Sequence, residues 1–132
     1  MSQLEAEAFR DSLPQRSAER ECMDLFIEQA RGHDNPMSKS MWVQRMAERG
    51  VRISVGFLER RIIRPARMSY DFFGVRRFRG LYLMITQEDI EQSAEFYHEQ
   101  GDFMNARGDQ LASRIDAVPE IPNRTEIPAF FE

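Results

Sequence analysis

The sequence is poor in the residues that carry redox and metal chemistry. Its 132 residues include one cysteine, Cys22, and two histidines, His33 and His98, which stand 65 positions apart. A lone thiol closes no internal disulfide and builds no thiolate metal cluster, so a reducing cytoplasm is the expected compartment and Cys22 the expected small core residue. His33 sits in the turn Gly32-His33-Asp34-Asn35-Pro36 without a second metal-type partner beside it and reads as a loop residue. No phosphate-binding glycine loop is present. With no nucleophile, base and orienting group at workable spacing, an enzyme is disfavoured, and no catalytic residue, metal ligand or cofactor is assigned. No apolar run approaches the roughly 20 residues of a membrane helix. The start Met1-Ser2-Gln3-Leu4-Glu5 is acidic where a secretory signal is basic, so neither membrane spanning nor export is expected. The carboxylates Glu88-Asp89 and Glu91 with Glu95 read as solubility groups on a solvated helix.

What the chain does have is charge, and it is segregated. Hydrophobic residues make up 42% and charged residues 30%, enough for one soluble domain with an arm. The net charge of −4 conceals a cationic centre: from Lys39 to Arg79 there are eleven bases against three acids, a local net of +8. Residues 1–38 carry −4 and residues 80–132 carry −8. A basic surface between acidic flanks points to a polyanionic partner. Lysine is nearly absent, Lys39 standing against 17 arginines, but that ratio can reflect genome composition and carries no functional weight.

Residues 1–16 read as an N-terminal arm, helical only near Leu4 to Phe9 and punctuated by Pro14. Ser17 is a helix cap followed by Glu19 and Glu21, and Ala18, Cys22, Leu25 and Phe26 recur at helical spacing until Gly32. Ser38 caps a second helix with the apolar stripe Trp42, Val43, Met46 and Ala47, which Gly50 ends. Ser54 caps a third helix that Pro65 limits to about ten residues. On that helix Val55, Leu58 and Ile62 share one side, while Phe57, Arg60, Arg61 and Arg64 share the other. Alternating Met68, Tyr70 and Phe72, then Leu81, Leu83 and Ile85, flank Gly74-Val75-Arg76-Arg77-Phe78-Arg79-Gly80. They predict a β-hairpin with a cationic tip. Helix, helix, turn, helix and basic hairpin is the order of a winged helix-turn-helix, so the expected fold is mainly α with a small β-hairpin, followed by a long C-terminal helix.

That helix starts at Thr86, with Asp89 three residues on as in a capping box. Steps of four and three give Ile90, Ala94, Tyr97, Gly101, Met104, Gly108, Leu111, Ile115 and Val118, an apolar seam of heptad type. If continuous it spans roughly 45–50 Å and needs a partner helix; a break at Gly101-Asp102 or near Gly108 gives two short helices instead. The large and small seam residues are complementary in an antiparallel pair, so these nine positions are the expected interface of a homodimer. The tail, residues 119–132, is acidic, carries three prolines and a repeated Glu-Ile-Pro, and is expected to be extended. Its Phe130 and Phe131 either pack back on the body or insert into another protein. The domain boundaries are therefore an arm at 1–16, the winged helix-turn-helix at 17–85, the dimerisation segment at 86–118 and the tail at 119–132.

Clustered guanidinium groups neutralise phosphates, and a helix fits the major groove of DNA, where arginine reads guanine edges. Ser54, Phe57, Arg60, Arg61 and Arg64 are accordingly expected in or along the groove. Arg45, Arg49 and Arg52 are expected nearer the backbone, and Arg76, Arg77 and Arg79 form the wing.

The stretch Leu58-Glu59-Arg60-Arg61-Ile62-Ile63-Arg64-Pro65-Ala66-Arg67, with Arg76-Arg77-Phe78 and Ile85-Thr86-Gln87-Glu88-Asp89-Ile90 after it, resembles the MerR-type regulators over residues 38–118. The resemblance implies a winged helix-turn-helix, an antiparallel dimer helix and backbone-contacting roles for Arg60 and Arg67. The chain departs from that family at Ile62, where glycine is usual, in the wing at Gly80-Leu81-Tyr82-Leu83-Met84, and in its extension of residues 1–37. Effector-binding cysteines are absent, so metal or redox sensing is not implied. Excisionases and small terminase subunits share related winged domains. The leading expectation is sequence-specific binding of double-stranded DNA by a homodimeric, cytoplasmic, nucleoid-associated transcription regulator. The alternatives are a phage- or plasmid-encoded inhibitor or adaptor acting through the acidic helix and the Phe130-Phe131 tail, and RNA or single-strand binding by stacking on Phe57 and Phe78.

Overall fold

The structure, a computed structural model, describes residues 2–117. The tail at 119–132 and Val118 lie outside them, as do the side chains at Met104, Leu111 and Ile115. The protein is mainly helical with one two-stranded antiparallel hairpin. It divides into two units, residues 1–97 and 98–132.

In the first unit, α1 (Ser2–Ser12) is helical along its whole length, not only near Leu4 to Phe9. Ala6 and Phe9 bury against the core, and the Phe9 ring meets Tyr70 at 5.8 Å and Phe72 at 6.1 Å. Two buried side chains are a weak periodic signal in the sequence, but in the fold they give the arm a docking face. Helix α2 (Ala18–Gln29) starts where expected, the Ser17 hydroxyl accepting from the Arg20 N–H, and it buries Cys22, Met23, Leu25, Phe26 and Ile27. Helix α3 (Lys39–Glu48) is capped by Ser38 in the same way. Its Trp42 ring stacks on Phe26 at 4.8 Å while the indole N–H donates to the Cys22 carbonyl, so the largest core side chain leaves no polar atom unsatisfied.

The third helix does not stop short of Pro65. Helix α4 (Val55–Leu58), capped by Ser54, runs into a π-helical turn (Glu59–Ile63) and then α5 (Arg64–Ser69), with Pro65 in the first turn of α5. A proline ring collides with the carbonyl four residues back in an α-helix. The wider turn, in which the Arg64 N–H donates to Glu59 five residues earlier, removes that collision. It also shifts the phase by one residue, so that the adjacent Ile62 and Ile63 are both buried with Leu58 and Ala66.

Because α5 continues to Ser69, Met68 belongs to a helix and is 82% exposed rather than alternating in a strand. The hairpin is β1 (Phe73–Arg76) and β2 (Gly80–Leu83), with Phe73 opposite Leu83 and Arg76 opposite Gly80. The alternation expected for Leu81, Leu83 and Ile85 gives way to four consecutive buried residues, Leu81 to Met84, because both faces of β2 are covered. Tyr82 lies over Gly74, where an added Cβ would meet its ring atoms at 2.3 Å. Along its other edge β2 exchanges hydrogen bonds with Met37 through Leu81 and meets Ala30 and Gly32 through Leu83. Gly80, at φ +123°, brings its backbone so close to Met37 that a side chain there would collide with the Met37 carbonyl.

Helix α6 (Gln87–Ala117) begins in the first unit with the expected reciprocal cap. The Asp89 N–H donates to the Thr86 hydroxyl, and the Thr86 N–H donates to the Asp89 carboxylate. Asp89 and Ser93 face inward, whereas Ile90, Ala94 and Tyr97 face solvent, Tyr97 being 54% exposed. In the second unit α6 remains helical through Gly101 and Gly108 to Ala117, a single element rather than two short helices.

Candidate nucleic-acid interface

The helical run from Val55 to Ser69 turns its isoleucines inward and its bases outward. Arg60, Arg61, Arg64 and Arg67 are all exposed, and among the described residues none of them is within ion-pair distance of a carboxylate. The Arg60 guanidinium folds back over Gly56, and that of Arg67 lies 5.9 Å from the Phe73 ring centroid. A cavity of about 310 Å³ is lined by Lys39, Glu59, Arg64 and Arg67. Arg67 also borders a cavity of about 530 Å³ that reaches Ser38 at the start of α3 and Val75 and Gly80 of the hairpin. Helix, hairpin and the first turn of α3 thus meet around Arg67.

Lys39 is the base that sequence reasoning left out of the site. Its ammonium lies 2.6 Å from Glu59 Oε1. The hydrogen bond from Lys39, and then its charge, hold the Glu59 carboxyl below its usual range. The signal was present in the capped start Ser38-Lys39, but pairing across twenty residues is not visible in a linear charge count.

The other predicted contacts are distributed differently. Arg45 donates to Gln29 at 3.1 Å and Arg49 to Glu28 at 2.8 Å, so both are drawn toward α2. Arg52 and Ser54 are exposed, and the Ser54 hydroxyl is engaged as the α4 cap. Phe57 does not share the arginine face: it is half-buried and packs against the core. Arg76 donates to the His33 carbonyl at 2.8 Å, which leaves Arg77 and Arg79 as the exposed bases of the hairpin tip without such a partner among the described residues.

Between them Phe78 is 92% exposed at a backbone φ of +62°, with the Arg77 guanidinium 5.0 Å from its ring centroid. The Arg79 N–H donates to the Arg76 carbonyl at 3.0 Å, which makes Phe78 the third residue of a tight turn. Glycine or asparagine is usual there, and a left-handed non-glycine residue costs about 1–2 kcal/mol.

Asp89 is the largest departure from expectation. It is 2% exposed, not a solubility group on a solvated helix. Oδ1 accepts from the His33 N–H at 2.9 Å and lies 2.6 Å from His33 Nδ1, and Oδ2 accepts from the Ile85 and Thr86 N–H groups. Burial pushes its carboxyl upward, but the hydrogen bonds from His33, Ile85 and Thr86 outweigh that and hold it well below the usual carboxylate range. The His33 imidazole is raised above its ordinary value, first by the hydrogen bond to Asp89 and then by the charges of Asp34, Asp89 and Glu88. The Tyr82 hydroxyl completes the cluster by donating to the Asp89 carbonyl at 2.7 Å.

Burial, reinforced by Glu19 and Glu21, pushes the Cys22 thiol up to about 12, so it is fully protonated near neutrality. Among the described residues no three His, Cys, Asp or Glu side chains are placed to hold a metal ion, and no described helix is long and apolar enough to cross a membrane. No protein family, no curated protein and no solved structure matches the chain.

Proposed function

We propose that the protein binds double-stranded DNA as a winged helix-turn-helix homodimer and acts as a transcription regulator. The observation that carries this reading is the exposed set Arg60, Arg61, Arg64 and Arg67 on one helical run, beside a hairpin whose tip exposes Arg77 and Arg79. The order α2, α3, helical run and hairpin supports it, because in a winged helix-turn-helix the helix after the turn enters the major groove and the wing lies along the backbone. Solvated guanidinium groups neutralise phosphates without first breaking an internal ion pair. That Arg67 borders the same cavity as Val75 and Gly80 of the hairpin supports treating the two elements as neighbours in one interface. The dimer reading rests on Ile90, Ala94 and Tyr97, which α6 turns to solvent while burying Asp89 and Ser93.

The deciding experiment is a titration of the full chain with random-sequence duplex DNA at several salt concentrations. A protein making about 6–10 phosphate contacts loses roughly 10³- to 10⁵-fold in affinity between 50 and 200 mM salt. Absence of binding at the lowest salt, or an affinity indifferent to salt, overturns the reading. Selection from genomic fragments then supplies the operator.

A further inference from the structure

Phosphate contact has no use for the side chain at the end of the hairpin. Phe78 is the most exposed of the large hydrophobic residues described, and it stands between Arg77 and Arg79 in a turn position where a glycine would be relaxed. Its ring touches no part of the core. The hairpin beneath it is braced from three sides. Gly80 abuts the Met37 backbone, the Val75 N–H donates to the Ser93 hydroxyl at 3.1 Å, and Tyr82 is clamped between Gly74 and its hydrogen bond to Asp89.

A ring held outward on a braced hairpin, flanked in sequence by two arginines of which Arg77 rests its guanidinium 5.0 Å from the ring centroid, suits one kind of ligand surface. The cations reach phosphates on either side while the apolar ring enters the stack of bases. Platforms for unpaired strands instead line several aromatic side chains along a groove. Phe57, the candidate second platform, is packed against the core, so the tip offers one ring and not a row.

We infer that Phe78 is a wedge that inserts part-way between two stacked base pairs of duplex DNA and kinks it. This rests on the DNA-binding reading above and adds a mode of contact to it. Unstacking is easiest at pyrimidine–purine steps, so the wedge favours TA and CA/TG steps without hydrogen-bonding to either base.

The test uses the full chain and a short duplex with one TA step whose adenine is replaced by 2-aminopurine, with a fluorophore pair at the two ends. Wild-type protein brightens the 2-aminopurine as the base unstacks and shortens the end-to-end distance. Phe78→Leu, which keeps an apolar wedge, retains both signals. Phe78→Gly, which suits the turn and leaves folding intact, loses both and binds about 5- to 150-fold more weakly.

If Phe78→Gly binds and bends the duplex as wild type does, the wedge is wrong and DNA binding stands. Tighter capture of the isolated strand than of the duplex, lost in Phe78→Gly, would overturn it in favour of stacking on unpaired bases. Should wild type bind no duplex at low salt, the DNA-binding reading itself fails and the wedge with it.

Discussion

His33 Nδ1 lies 2.6 Å from Asp89 Oδ1, and through that contact the connection after α2 is tied to the first turn of α6. The same carboxylate caps α6 by accepting from the Thr86 N–H and also accepts from the His33 and Ile85 N–H groups, so it is committed as an anion.

Replacing Asp89 with alanine leaves the His33 ring and three N–H groups without their acceptor and is expected to cost about 2–3 kcal/mol. Urea denaturation measures it; a loss below about 0.5 kcal/mol would show that water replaces the carboxylate at no cost.

The pH dependence follows from two opposite shifts. The raised imidazole contributes stability that is fully present below its ordinary value of 6.5 and is lost as pH rises through the higher value it has when folded. The depressed Asp89 carboxyl contributes stability present above its ordinary value of 3.8 and lost as pH falls through its lower folded value. Their joint contribution is therefore greatest between about pH 4 and 6.5. In His33→Gln the decline in unfolding midpoint on the alkaline side of that window is expected to flatten, and an unchanged slope would assign the decline to other groups.

Gly74→Ala drives a methyl group into the Tyr82 ring, and overpacking of this kind costs about 1–3 kcal/mol. In a Tyr82→Leu background the same substitution is expected to cost less. A double-mutant cycle on thermal midpoints measures the coupling, and additivity would mean that strand and ring move apart freely.

Phe78→Gly relieves the left-handed backbone at the turn and is expected to stabilise the fold by up to about 1 kcal/mol, part of the relief being offset by the freedom glycine gains on unfolding. A lowered thermal midpoint would indicate that the Arg77 contact with the ring is worth more than the strain.

For DNA, Arg64→Ala and Arg67→Ala are each expected to reduce the salt slope by about one, and Arg49→Ala, whose guanidinium is held by Glu28, by much less. Arg61→Ala should relax base preference where Arg77→Ala weakens all sequences alike. Equal and uniform losses at Arg49, Arg61 and Arg77 would remove the assignment of distinct roles.

Elements fixed by local chemistry were legible. The caps at Ser17, Ser38, Ser54 and Thr86 each formed, because a hydroxyl acts on an N–H three residues away. The hairpin's cationic tip and the second strand through Leu81 and Leu83 are equally legible, whereas the first strand begins at Phe73, after the expected Met68, Tyr70 and Phe72. Position 65 misled because a proline stops an α-helix but not a chain that can widen by one residue, and nothing in Glu59-Arg60-Arg61-Ile62-Ile63 announces a π turn. At the site, the exposed arginines of the helical run follow from their spacing. The engagement of Arg45 and Arg49 by α2 does not, since it depends on how two helices cross. The Thr86–Asp89 cap is legible, but the burial of Asp89 is not, because the partner that covers its carboxylate, His33, comes from the connection after α2 and periodicity does not encode that pairing.

The ladder that Leu81 and Leu83 make with Ala30, Gly32 and Met37 leaves the outer side of β2 without open amides. A two-stranded ribbon with a bare flank is a template on which other chains can add. Here the flank is sealed, and the seal depends on the residue at position 80 having no side chain. A bulkier residue there would do more than loosen the ribbon: it would expose a nucleus for fibrous self-association, visible as thioflavin-positive material on storage.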